Sequence, residues 1–266
     1  MSSKSPRQKS GRRSKWAAAA LIGIGLLATG GVYAGASAAM AATEPTSAST
    51  TLTVEDGKKL FQANCATCHG LNLEGTADGP SLYGVGELAV EFQMSTGRMP
   101  LQMQGPQAPQ KPVQFTEDQI LAISSWVQST SPGPEFPDAK TLDGQGDVAN
   151  GAELFRINCA MCHNVAAAGG ALTEGKYAPA LTSTSALHMY AAMVTGPQNM
   201  PVFNNMTLTT EEKRDIISSL LFIQENESAG GLNLGSLGPV SEGLFIWIFG
   251  IGSLIGLTVW ITAKSN

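Results

Sequence analysis

Two pentapeptides, Cys65-Ala-Thr-Cys68-His69 and Cys159-Ala-Met-Cys162-His163, hold all four cysteines and two of the three histidines of this 266-residue chain. Two thiols one helical turn apart can add to the two vinyl groups of one porphyrin. The imidazole that follows then projects under the ring to ligate its iron. The spacing predicts two covalently bound haem c groups. Cys65 and Cys68 hold one, Cys159 and Cys162 the other, and His69 and His163 are the proximal iron ligands. A zinc site would need the two motifs, 94 residues apart, to converge, and would leave both histidines unexplained. A thioredoxin-like dithiol needs a βαβ context that the sequence lacks.

A sixth ligand is expected from methionine. Met99-Pro100 and Met200-Pro201 form the same dipeptide in equivalent loops, 30 and 37 residues after their histidines. Met94, Met103, Met189, Met193 and Met206 are rivals, and Met193 is the strict 94-residue partner of Met99. The recurring Met-Pro chemistry favours Met99 and Met200, because loop length varies more freely than local chemistry. His188, the third histidine, reads as a solvated or core residue, with bis-histidine ligation as the sharper alternative. Pro80 and Pro179 fall between His and Met in both copies, in Gly-Pro-Ser-Leu and Ala-Pro-Ala-Leu. A proline carbonyl there can accept the imidazole N–H and fix its tautomer. With His/Met ligation the iron is six-coordinate and suited to electron transfer, with no catalytic residue expected.

The elements that carry these residues repeat. Gly57, Leu60, Phe61, Asn64 and Cys65 recur as Gly151, Leu154, Phe155, Asn158 and Cys159, and Thr116 and Glu117 recur as Thr210 and Glu211. The predicted layout is all-α, with two tandem domains at 54–128 and 148–224. Residues 129–147 and 225–243 are rich in turn formers or Gly and read as linkers. In each copy a helix leads into the cysteine motif and another closes the domain. The closing helices start from Thr116-x-x-Gln119 and Thr209-x-x-Glu212 capping patterns. Phe61, Phe155 and Trp126 are expected in the core. Loops of about 40 residues remain between the helices, a length that a bound cofactor would organise.

Charged residues make up 14% of the chain, against about 25% in a typical soluble protein. Residues 1–15 form a basic cytoplasmic segment with six Lys/Arg, whereas 44–240 hold nine Lys/Arg against twenty Asp/Glu. The middle section is thus a poor nucleic-acid binder. Residues 16–42 are an uncharged hydrophobic signal or anchor segment, and Ala36-Ser37-Ala38 resembles a cleavage site. Cleavage and retention both remain open. Residues 244–263 are uncharged and long enough to span a bilayer as a C-terminal transmembrane helix. The N-terminal charge excess places the haem domains on the extracytoplasmic side of the plasma membrane.

From Cys-x-x-Cys-His through Pro-x-Leu to Met-Pro, each copy resembles a class I cytochrome c domain. The whole layout, with its C-terminal LFIWIFGIGSLIGLTVWITA span, is similar to the dihaem cytochrome c subunit of the actinobacterial cytochrome bcc complex, the menaquinol–cytochrome c reductase. That resemblance implies cytochrome b and Rieske iron–sulfur subunits as partners, and a terminal haem–copper oxidase as acceptor. It also implies that the second domain lies nearer the Rieske donor. Tandem cytochrome domains occur as well in cbb-type oxidases and periplasmic dehydrogenases. A dihaem peroxidase would need one displaceable iron ligand, against which both Met-Pro loops argue.

Overall fold

A computed structural model describes Trp16 and residues 20–31, 52–226 and 239–264. The chain divides into two units, Met1–Thr50 and Thr51–Asn266. In the first, an apolar helix α1 covers Ala20–Gly31. The basic flank and the expected cleavage motif lie outside the described residues.

In the second unit, each of the two repeated domains is built on two crossed helices. α2 (Val54–Asn64) crosses α5 (Glu117–Thr130) in the first domain, and α6 (Val148–Asn158) crosses α9 (Thr210–Glu225) in the second. Each helix starts where a side chain satisfies backbone N–H groups that have no partner within the helix. Thr53 with Asp56, Thr116 with Gln119 and Thr209 with Glu212 form capping boxes, and the Asp147 carboxylate accepts from Ala149 and Asn150. Thr116 and Thr209 are therefore the structural counterparts, one residue off the constant shift seen in the sequence.

The repeated glycines have a steric cause. A Cβ on Gly57 would lie 2.0 Å from the Ala122 carbonyl oxygen, and one on Gly151 would lie 1.9 Å from that of Asp215. Only glycine lets the two backbones approach this closely. One turn further on, Phe61 and Trp126 pack with ring centroids 4.7 Å apart. Phe61, Ile123 and Val127 form the centre of the first core, and Phe155, Ile216, Ile217 and Leu220 that of the second.

The long loops expected between the crossed helices contain further structure. α4 (Gly86–Ser95) and α8 (Ala186–Thr195) are ten-residue helices that pack on each other and join the domains. α4 is apolar on two sides: Val90 and Met94 enter its own core, while Leu88 and Phe92 meet Ala191 of the second domain. In α8, Met189 and Met193 face inward and Leu187, Ala191 and Val194 face the partner domain. Apolar residues on both sides erase the single stripe by which a surface helix is recognised in a sequence. The second domain also carries a short antiparallel hairpin, β1 (Gly170–Ala171) with β2 (Tyr177–Ala178).

The inter-domain segment is docked on both domains. Phe136 joins the α4–α8 cluster, Leu142 packs on the second core, and Asp143 accepts from Arg214 Nε and Nη2 at 3.0 and 2.9 Å. At the C-terminus, α10 (Pro239–Phe245), a π-helical stretch Ile246–Ile251 and α11 (Gly252–Lys264) follow in direct succession. Within Ser241–Ala263, an 18-residue window reaches a mean hydropathy of 2.2. The 23 residues of the whole segment reach about 34 Å at 1.5 Å each, against a bilayer core of about 30 Å.

Candidate functional site

Both cysteine motifs adopt one local geometry. Cys65 ends α2 and opens the single turn α3 (Ala66–His69), while Cys159 does the same between α6 and α7 (Ala160–His163). Their φ/ψ values are nearly identical, −121°/−29° and −122°/−34°. Each first-cysteine carbonyl accepts from the second cysteine and from the histidine, at 2.9–3.1 Å. The chain then leaves through a residue with positive φ, Gly70 at 77° or Asn164 at 67°. Burial, with the neighbouring Cys68 or Cys162 adding to it, pushes the Cys65 and Cys159 thiols up to about 11.

The proline carbonyls lie at the imidazoles. His69 Nδ1 is 2.8 Å from Pro80 O, and His163 Nδ1 is 2.9 Å from Pro179 O. A carbonyl can only accept, so each Nδ1 carries the proton and Nε2 keeps its lone pair for a metal. Burial lowers the His163 pKa, with the Pro179 bond opposing it. The same bracing holds both prolines: Leu82 N donates to Leu73 O and Leu181 N to Ala167 O, each at 2.8 Å. The hairpin β1–β2 supplies the extra residues by which the second copy drifts from the 94-residue shift.

Cys65, Met99 and Leu82 pack against the core cluster of the first domain. In the second, Cys159, Cys162, His163, Pro179 and Met200 line one cavity of about 680 Å³. Its remaining walls are mainly apolar, with Phe155, Leu181, Met189, Phe203, Ile216 and Leu220. A cavity of this size falls within the roughly 300–1,000 Å³ of cofactor sites. Thiols, an imidazole with a free Nε2 and a thioether around one apolar space fit a covalently held porphyrin.

Among the rival methionines, Met94, Met189 and Met193 are buried, while Met103 and Met206 are 73% and 97% exposed. Met189 and Met193 also face the second cavity, so burial alone does not single out Met200. His188 lies at the domain interface. Its Nε2 is 2.8 Å from Ser95 Oγ and 3.3 Å from a Glu91 carboxylate oxygen, and its ring meets Phe92 edge-on.

Several residues at the site give no signal in a single sequence. The Met loops are pinned by lysines: Lys111 Nζ donates to Pro100 O, and the buried Lys213 Nζ donates to Leu208 O and Asn205 Oδ1. The loop after Met99 is longer than its counterpart, and its extra residues reach the second domain. The Gln107 side chain exchanges two hydrogen bonds with the Tyr177 backbone, at 3.0 and 2.9 Å, and Ala108 N donates to Gln198 Oε1 at 3.1 Å. Phe92, Thr96, Arg98, Gln107 and Gln110 thus complete the wall of the second cavity from the first domain.

Fold and paired sites define a tandem c-type cytochrome, and the comparisons agree. The family model described as cytochrome c matches residues 54–131, and that described as cytochrome C oxidase, cbb3-type, subunit III matches 146–218. The cytochrome bc1 complex cytochrome c subunit of Mycobacterium tuberculosis is 45% identical, with 97% of this chain and 96% of the relative covered. Its namesake in Corynebacterium efficiens is 47% identical over 80% of this chain and 77% of its own length. The chain belongs to the family of cytochrome bc1 complex cytochrome c subunits, and its cofactors are two covalently bound c-type haems. A cbb3-type oxidase subunit of Sinorhizobium medicae is 47% identical over 16% of the chain.

Proposed function

We propose that this chain is the electron-relaying subunit of a quinol-oxidising bcc complex, taking electrons from its Rieske iron–sulfur protein and passing them to a terminal haem–copper oxidase. Haem c, when bound, supplies a reversible one-electron iron couple. The polypeptide's part is to hold, orient and shield it. Cys65 and Cys68 attach the first haem and Cys159 and Cys162 the second. His69 and His163 would bind iron through Nε2, since Pro80 and Pro179 occupy Nδ1, and Met99 and Met200 would supply thioether ligands. With its iron ligands supplied by the protein, each haem would carry electrons rather than convert a substrate. Enzyme status belongs to the complex of which the chain is a subunit. Ser241–Ala263 anchors it in the plasma membrane, with both domains on the extracytoplasmic side.

The observation that carries this reading is the duplicated His–proline carbonyl pair beside a Met-Pro loop, within relatives named for one complex along nearly the whole chain. The cbb3-type family match favours a second reading, a cbb-type oxidase subunit, but it covers only 146–218. Mild detergent extraction followed by identification of co-purifying subunits separates the two. Cytochrome b and Rieske subunits support the proposal. A cbb-type catalytic subunit without them, or a dehydrogenase, overturns it.

A further inference from the structure

Arg98 belongs to the first domain, yet it lines the cavity of the second. It is 6% exposed, and its guanidinium carbon lies 5.2 Å from the centroid of Phe92. Among the described residues it has no carboxylate partner, and no Asp or Glu lines the cavity. A buried guanidinium without a counter-charge is costly, and arginine does not shed its proton to escape that cost. The site is therefore built with one cation and awaits an anion. Haem c brings carboxylates of its own, the two propionates, and an arginine fork matches a carboxylate in a two-pronged way.

The placement of Arg98 is fixed by backbone. Arg98 N and Met99 N both donate to the Gln93 carbonyl at the end of α4, at 3.0 and 2.9 Å. Gly97, at φ +72°, packs so tightly on Lys111 that a Cβ would lie 1.7 Å from its carbonyl oxygen. One residue of this rigid pair points at the second cavity while the next packs in the first core.

We propose that Arg98 is a positioning residue that holds a propionate of the second-domain haem, so that the Arg98-Met99 pair serves both haems across the domain boundary. The inference rests on Cys159, Cys162 and His163 holding a haem in this cavity. A fixed positive charge there stabilises the reduced, less positive iron and raises the potential of that haem.

The test uses the full chain with Arg98→Gln and Arg98→Lys. Intact mass first establishes that both haems are attached; a missing second haem would refute the underlying reading rather than the role of Arg98. Redox titration then follows each haem, the second being the one whose sulfur–iron band is lost in Met200→Ala. Arg98→Gln is expected to lower the reduction equilibrium constant of the second haem about tenfold, equivalent to about 59 mV for a one-electron couple. The first haem should change less than twofold. Arg98→Lys keeps the charge and should stay within about threefold of wild type. Both variants should shift the propionate carboxylate bands in redox-difference infrared spectra, which leaves the lysine variant as a test should Arg98→Gln not accumulate. Unmoved propionate bands with both potentials within twofold of wild type would overturn the proposal, as would a shift confined to the first haem.

Discussion

Replacing Gly57 with alanine sets two magnitudes against each other. In an isolated helix the change is favourable by about 1 kcal/mol, since glycine is the poorer helix former. In this chain the new Cβ would meet Ala122 O at 2.0 Å. Non-bonded Cβ contacts this short do not persist, so α2 and α5 must separate by about 1 Å. Overpacking of that kind costs about 1–3 kcal/mol. A gap of 0.5–1 Å also forfeits a quarter to a half of each contact along the crossing. The Phe61–Trp126 contact, one turn away, lies directly in that zone. Set against the helix-propensity gain, the net expectation is a loss of about 1–2 kcal/mol. At roughly 4–8 °C per kcal/mol for a domain of this size, the Tm of the first domain falls by about 4–16 °C. Differential scanning calorimetry of the haem-loaded protein measures this, with Gly151→Ala as the mirror experiment on the second domain. A Tm for Gly57→Ala equal to or above that of the wild type would refute the close-crossing argument.

Met99→Ala and Met200→Ala should each abolish the long-wavelength sulfur–iron absorption of one haem and lower its potential, leaving the other haem's spectrum intact. Wild-type spectra in both variants would contradict the axial assignment. Asp143, held by Arg214 Nε and Nη2, has its pKa lowered chiefly by that hydrogen bond. A depressed carboxylate pKa stabilises the fold above the unfolded value of about 3.9, and that stability is lost as pH falls through the folded value. Asp143→Asn should therefore lower Tm at pH 7, with the difference from wild type closing in acid below that range. A gap that is constant with pH would contradict it.

Much of the site is legible in the chain because the chemistry is local. Cys-x-x-Cys-His sits on one helical turn, and the Thr116 and Thr209 caps follow from their own four-residue patterns. The proline carbonyl could be placed opposite the imidazole because Pro80 and Pro179 recur between the same landmarks. What the sequence hid is what depends on the neighbouring domain. α4 and α8 are apolar on two sides, one for each domain, so no single stripe announces them. The longer loop after Met99 looked like ordinary length variation, yet its surplus residues bond to Tyr177 and Gln198. Arg98 sits next to a predicted ligand, but its burial beside the other cavity exists only once the two copies pack together.

The central claim is that each cysteine pair anchors one haem by thioether bonds. Intact mass spectrometry of the denatured protein tests it most directly, on the wild type and on Cys65→Ala/Cys68→Ala and Cys159→Ala/Cys162→Ala. The account predicts the mass of the polypeptide plus two haems for the wild type and plus one haem for either double variant that accumulates. A wild-type mass without both haems, or a double variant that still carries two, would contradict it.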